Sequence, residues 1–71
     1  MKSAEYLVLI GNNISEIRKK NGLTSKELGL RCDIEKSNLI NIEKGRINVT
    51  ANTLLKLANA LEVNVKEFFE F

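Results

Sequence analysis

Apolar residues recur every three or four positions along almost the whole chain, and no stretch keeps the alternation expected of a strand. The pattern predicts a first helix over residues 4–20, ended by Asn21 and Gly22. Basic side chains crowd its last turn, where they complement the negative end of a helix. The apolar stripe of this helix comprises Leu7, Ile10, Ile14 and Ile17.

Two short helices follow, separated by a tight turn. Thr24 and Glu27 have the spacing of a capping box, which predicts that a second helix begins there and reaches residue 31 or 32. Residues 32–34 form the turn, and a third helix is predicted over residues 35–44, with Leu39 and Ile42 facing inward. Gly45 ends it.

The rest of the chain predicts two further helices after an irregular connection at residues 46–49. Thr50 caps a fourth helix that carries leucines at helical spacing. Asn64 and Glu67 form a second capping box, which begins a fifth helix with Phe68 on it. The prediction is therefore an all-α, compact five-helix domain spanning residues 1–71.

The composition argues against an enzyme and against a metal site. The chain has 71 residues, no histidine and one cysteine, Cys32. Imidazole-based general base catalysis and Cys/His zinc sites are excluded, and no cofactor is indicated. Cys32 is expected to be a small core residue. A free thiol without an export signal points to the cytoplasm, and the apolar run at residues 6–10 is too short to span a bilayer.

Charge is unevenly distributed along the chain. The formal net charge is +2, but residues 16–46 sum to +3 and residues 47–71 to −1. A basic middle segment fits an anionic partner such as phosphate, and an ordinary solvated surface is the alternative.

Two short helices joined by a turn of three or four residues form a helix-turn-helix arrangement, whose second helix enters the major groove of DNA. The exposed face of the third helix carries donors and acceptors suited to base edges. Lysine fits guanine, and asparagine can form two hydrogen bonds with adenine. The predicted base-reading residues are Lys36, Ser37, Asn38 and Asn41. Ile40 lies beside them, where it fits either a thymine methyl group or an ordinary surface position.

At this point the sequence also resembles a known family, the XRE regulators related to phage Cro and repressor proteins. The resemblance covers about residues 10–70 and rests on three segments in this order: IRKKNGLTSKEL at residues 17–28, IEKSNLINIEKG at residues 34–45 and TLLKLANALEV at residues 53–63. Many relatives carry glutamine where this chain has Ser25, whose shorter side chain favours a phosphate contact over a base contact.

The resemblance implies a five-helix domain that binds double-stranded operator DNA as a two-fold dimer. It implies that Arg18 and Glu43 form an ion pair between the first helix and the end of the third. The residues expected at the DNA backbone are Ser25, Arg46 and Asn48, with nearby lysines such as Lys44.

Three aromatic residues cluster at the C-terminal end of the sequence, namely Phe68, Phe69 and Phe71. One or two of them are expected to fill the core, and an uncovered Phe71 predicts an apolar patch that serves as a homodimer interface. Two function classes stay open besides an enzyme. One is a sequence-specific regulator that is expected to act as a repressor; the other is a protein-interaction module of the same fold, similar to an antitoxin or anti-repressor adaptor. No small-molecule ligand or membrane partner is indicated.

Overall fold

Four α-helices and one short 3-10 helix make up the protein, as a computed structural model of all 71 residues shows. There is no strand, so the all-α prediction is confirmed. The elements are α1 (Ser3–Lys20), α2 (Ser25–Cys32), α3 (Lys36–Glu43), α4 (Ala51–Leu61) and the 3-10 helix (Val65–Phe69). The predicted bounds differ by one residue at the start of α1 and at both ends of α3, where Glu35 and Lys44 are caps.

The prediction of a fifth α-helix is wrong, because Val65–Phe69 winds as a 3-10 helix. The predicted capping box is present: the Asn64 side chain accepts a hydrogen bond from the Lys66 amide, and Glu67 accepts one from the Asn64 amide. Only five residues follow this cap before the backbone becomes extended at Glu70. A run this short is typical of 3-10 geometry.

Each α-helix ends at or just before a residue with left-handed backbone conformation. Gly22 and Gly45 fill this role after α1 and α3, as predicted, and Asp33 and Glu62 fill it after α2 and α4. After α3, the amides of Gly45 and Arg46 donate back to the carbonyls of Ile42 and Asn41, which satisfies the free end of the helix.

The core lies where α1, α2 and α4 meet α3 and the 3-10 helix. α1 packs against α3 and the 3-10 helix, and α2 packs against α3 and α4. Cys32 belongs to this core, where burial raises the pKa of its thiol. The side chains that are completely buried are Ile14, Leu28, Leu39, Leu57 and Phe68.

Candidate nucleic-acid interface

The outward face of α3 is polar, and two buried residues hold the opposite face to the core. Leu39 and Ile42 are buried and hold the helix to the core. On the other side, Lys36, Ser37 and Asn38 are exposed, and Asn41 and Ile40 are half-buried. Helical spacing explains the division, because residues 39 and 42 share one face while residues 37, 38 and 41 share another.

A tight turn sets the angle at which α3 leaves α2. The Ile34 amide donates to the Gly29 carbonyl at 2.8 Å, and Asp33 takes the left-handed conformation. A Cβ at position 29 would lie 2.5 Å from the Ile34 carbonyl oxygen. Glycine at this position therefore lets the turn fold back onto α2, which accounts for a residue that otherwise weakens a helix.

α2 begins at the predicted capping box, which also fixes the position of Ser25. The Thr24 hydroxyl accepts from the Glu27 amide at 3.1 Å, and the Glu27 carboxylate accepts from the Thr24 amide at 2.9 Å. These hydrogen bonds with Thr24 hold the pKa of Glu27 below its usual range. Ser25 follows as the first residue of α2 and is half-buried.

A buried ion pair joins α1 to the last turn of α3. Arg18 Nε donates to Glu43 Oε2 at 2.7 Å, and Nη2 donates to Oε1 at 3.0 Å. The third guanidinium nitrogen, Nη1, donates to the Leu23 carbonyl at 2.8 Å. Both charges therefore have hydrogen-bonding partners within the protein, and Arg18 links α1 to the start of α2 and to α3.

The residues expected at the DNA backbone lie around α3. Lys44, Arg46 and Asn48 are exposed, directly after the helix. The hydrogen bond from the Arg46 amide to the Asn41 carbonyl, 2.9 Å long, ties this segment to α3.

The sequence interpretation missed a contribution from α1. Asn12, Ser15 and Lys19 line an open polar depression together with Ser25 and Lys44. The three α1 residues are spaced three and four apart, so a helical projection of residues 12–19 would have placed them on one face. The depression extends the polar surface from α3 across to α1.

The aromatic residues at the C-terminal end divide between core and surface. Phe68 is completely buried, so including it in the predicted dimer interface was wrong: a side chain already enclosed by its own subunit offers nothing to a second one. Phe69 and Phe71 are exposed. No helix of the protein is at once long enough and apolar enough to cross a membrane.

Comparison with known proteins places this geometry in a family. The model of a helix-turn-helix domain matches residues 11–70, which is most of the chain. The protein belongs to the helix-turn-helix domain family. That match spans α1 from Gly11 onward, the α2–α3 pair, α4 and the C-terminal segment.

The relatives of this chain include an HTH-type transcriptional regulator and a control protein. The chain is 39% identical over 56 residues to the uncharacterized HTH-type transcriptional regulator y4dJ of Sinorhizobium fredii, covering 79% of this chain and 73% of the relative. It is 29% identical over 65 residues to the control protein C.BamHI of Bacillus amyloliquefaciens, covering 90% and 80%.

A solved structure agrees with the fold in detail. The restriction-modification controller protein C.AhdI from Aeromonas hydrophila superposes with a TM-score of 0.87 at 33% identity, covering 89% of this chain and 96% of that one. These findings confirm the resemblance to the XRE regulators. The helix-turn-helix regulators are not enzymes, in agreement with the expectation from composition.

Proposed function

We propose that this helix-turn-helix regulator binds a near-palindromic operator as a homodimer and represses transcription by occupying a promoter. α3 lies in the major groove of each half-site, and the two recognition helices are separated by one turn of DNA, roughly 34 Å. The same proposal assigns the protein to the cytoplasm, a reducing compartment in which the free thiol of Cys32 stays reduced.

The observation that supports base reading is the composition of the exposed α3 face. Lys36, Ser37 and Asn38 are exposed on the first turn, and the recognition helix of such a domain approaches base edges with this end. Asn41 follows one turn later on the same side. Through Nδ2 its side-chain amide can donate to N7 of adenine, and through Oδ1 it can accept from the N6 amino group, which makes adenine the expected partner.

Backbone contacts fix the position of the helix without reading sequence. Ser25 and Lys44 line the same depression beside α3, and the exposed Arg46 and Asn48 follow in the connection after α3. Phosphates beside α3 would meet Ser25 and Lys44 in the depression and Arg46 and Asn48 in that connection.

Asn41→Ala tests whether α3 reads bases through this residue. The cognate site is first found by selecting duplexes from a random library with the wild-type protein. We expect Asn41→Ala to lose discrimination at one position per half-site by about 1–3 kcal/mol, as measured by mobility shift against single-base variants. Weak, salt-sensitive binding to unrelated DNA should persist.

Asn59→Ala is the matched control, because Asn59 is an exposed asparagine on α4. It should keep the wild-type preference. If Asn41→Ala keeps that preference too, α3 does not read bases through this residue. If no duplex is enriched and binding to any DNA lacks a steep salt dependence, the protein-interaction module becomes the better description.

A further inference from the structure

The residue that caps the start of α3 leaves its side chain without a partner. The Glu35 carbonyl accepts from the Leu39 amide at 3.0 Å, so the backbone alone holds Glu35 at the N-cap position. Thr24 and Thr50, the caps of α2 and α4, accept hydrogen bonds through their side chains, whereas the exposed carboxylate of Glu35 accepts none from α3. Serine, threonine, aspartate and asparagine are the residues favoured at such a position, so capping does not account for this glutamate.

Glu35 lies on the same side of α3 as a residue that is proposed to read bases. It precedes Asn38 by three positions, and residues three apart are neighbours on a helix surface. Both line an open depression together with Asn48 in the connection after α3. Lys56 lines the depression too, but the one ion pair of the protein joins α1 to the end of α3 and does not involve Glu35. The unpaired carboxylate therefore lies at the end of α3 that approaches base edges in a helix-turn-helix complex.

The hydrogen-bonding capacity of a carboxylate restricts which base it can contact. An ionised carboxylate only accepts hydrogen bonds. In the major groove, guanine presents two acceptors and thymine presents one, so neither base offers a donor. Adenine has its N6 amino group beside the acceptor N7, whereas cytosine presents the N4 amino group alone. Phosphates repel a negative side chain, so a contact with the DNA backbone does not suit Glu35 either.

We propose that Glu35 is a specificity-determining residue that accepts a hydrogen bond from N4 of a cytosine at one position of each half-site. The inference rests on the proposed function and deepens it, because it names the base that the start of α3 selects. Beside any other base, the carboxylate meets an acceptor or stays unpaired where water has been displaced, and both are unfavourable. An amide such as that of Asn38, which both donates and accepts, is less restrictive. Glu35 therefore acts chiefly by rejecting wrong sequences.

Mobility shift with the selected operator and its single-base variants tests the proposal. We expect the wild type to favour cytosine at one position per half-site by about tenfold, and Glu35→Gln to lose most of that preference. Glutamine keeps the shape of the side chain but adds two donors, so it can also bond to guanine or adenine. Affinity for unrelated DNA should rise, because a negative charge near the phosphates has been removed.

Glu16→Gln is the matched control, because Glu16 is an exposed glutamate on the flank of α1 that faces the C-terminal segment. The same change of charge at that position should leave base preference and affinity unchanged. Circular dichroism verifies that both variants keep their helices. A glutamate that merely stabilised the positive end of α3 would alter stability and leave the cytosine preference intact. An intact preference in Glu35→Gln would therefore overturn the proposal, and so would a loss of preference at a base other than cytosine.

The same measurements separate this inference from the proposed function. If Asn41→Ala changes base preference and Glu35→Gln does not, α3 reads bases without Glu35, and only the inference fails. If the wild type enriches no duplex from the random library, sequence-specific binding and the role of Glu35 fail together.

Discussion

At the scale of single residues, the Arg18–Glu43 pair shows how a charged contact becomes part of the architecture. Exposed ion pairs contribute little, because water solvates the separated charges nearly as well. Here only 9% of Arg18 and 8% of Glu43 is exposed, and both carboxylate oxygens accept hydrogen bonds from the guanidinium group. Removing either partner leaves an uncompensated charge in a poorly hydrated position.

Glu43→Ala should therefore lower the free energy of unfolding by about 3–5 kcal/mol, which is large for a domain of this size. Urea titration followed by circular dichroism measures the change. Glu16→Ala removes an exposed carboxylate from α1 and should change stability by less than about 0.5 kcal/mol. If the two substitutions change the free energy of unfolding equally, the buried ion pair does not stabilise the fold.

At the scale of the elements, the close approach of α1 to the end of α3 decides where α3 lies. Gly11 is buried at this crossing, and a Cβ there would lie 2.5 Å from the carbonyl oxygens of both Ile42 and Glu43. The helices can touch through their backbones only because position 11 has no side chain. Glycine inside α1 costs helix propensity, and the contact with α3 offsets it.

The substitution Gly11→Ala tests how much the close contact between α1 and α3 contributes to stability. Although alanine favours the helix itself, its methyl group would force α1 and α3 apart, so we expect a net loss of about 1–3 kcal/mol in unfolding free energy. Thermal unfolding measures it. Asn12→Ala, at the neighbouring exposed position, gains propensity without a clash and should be neutral or slightly stabilising. A Gly11→Ala variant as stable as Asn12→Ala would show that the crossing can relax freely.

At the scale of the whole molecule, the arrangement of charge matters more than its total. The net charge is only +2, yet the lysines of the polar depression, Lys19 and Lys44, meet on one side of the protein beside α3. The flank that carries the C-terminal segment has one lysine, Lys20, against the three glutamates Glu16, Glu67 and Glu70. A small net charge can thus coexist with one face suited to phosphate.

Lys44→Ala tests this asymmetry in DNA binding. Each neutralised phosphate contributes about −0.9 to the slope of log K against log salt concentration, so the slope should become shallower by about 1. Base preference should stay that of the wild type, because a backbone contact carries no sequence information. Lys66→Ala, in the 3-10 helix, is the control and should leave the slope unchanged. The opposite ranking of the two lysines would place DNA on the other flank.

The sequence by itself determined where the elements of this protein lie, although not the 3-10 winding of the last one, because the signals that place an element are local. Capping at Thr24, Thr50 and Asn64 and the glycines after α1 and α3 act within a few residues, and apolar spacing selects the inward face of each helix. The exposed α3 residues followed from the same spacing. The family segments added the pairing of Arg18 with Glu43, which local pattern alone does not contain.

Only the tertiary structure decided which distant residues share a surface. Tyr6 and Phe71 are 65 positions apart in the chain, and Asn13 reaches carbonyls more than 50 positions away. Phe68 and Phe69 are adjacent and of the same type, yet one is core and the other is surface. Helical periodicity and capping are properties of neighbouring residues, whereas these contacts depend on how whole helices pack, and that is settled only when the core closes.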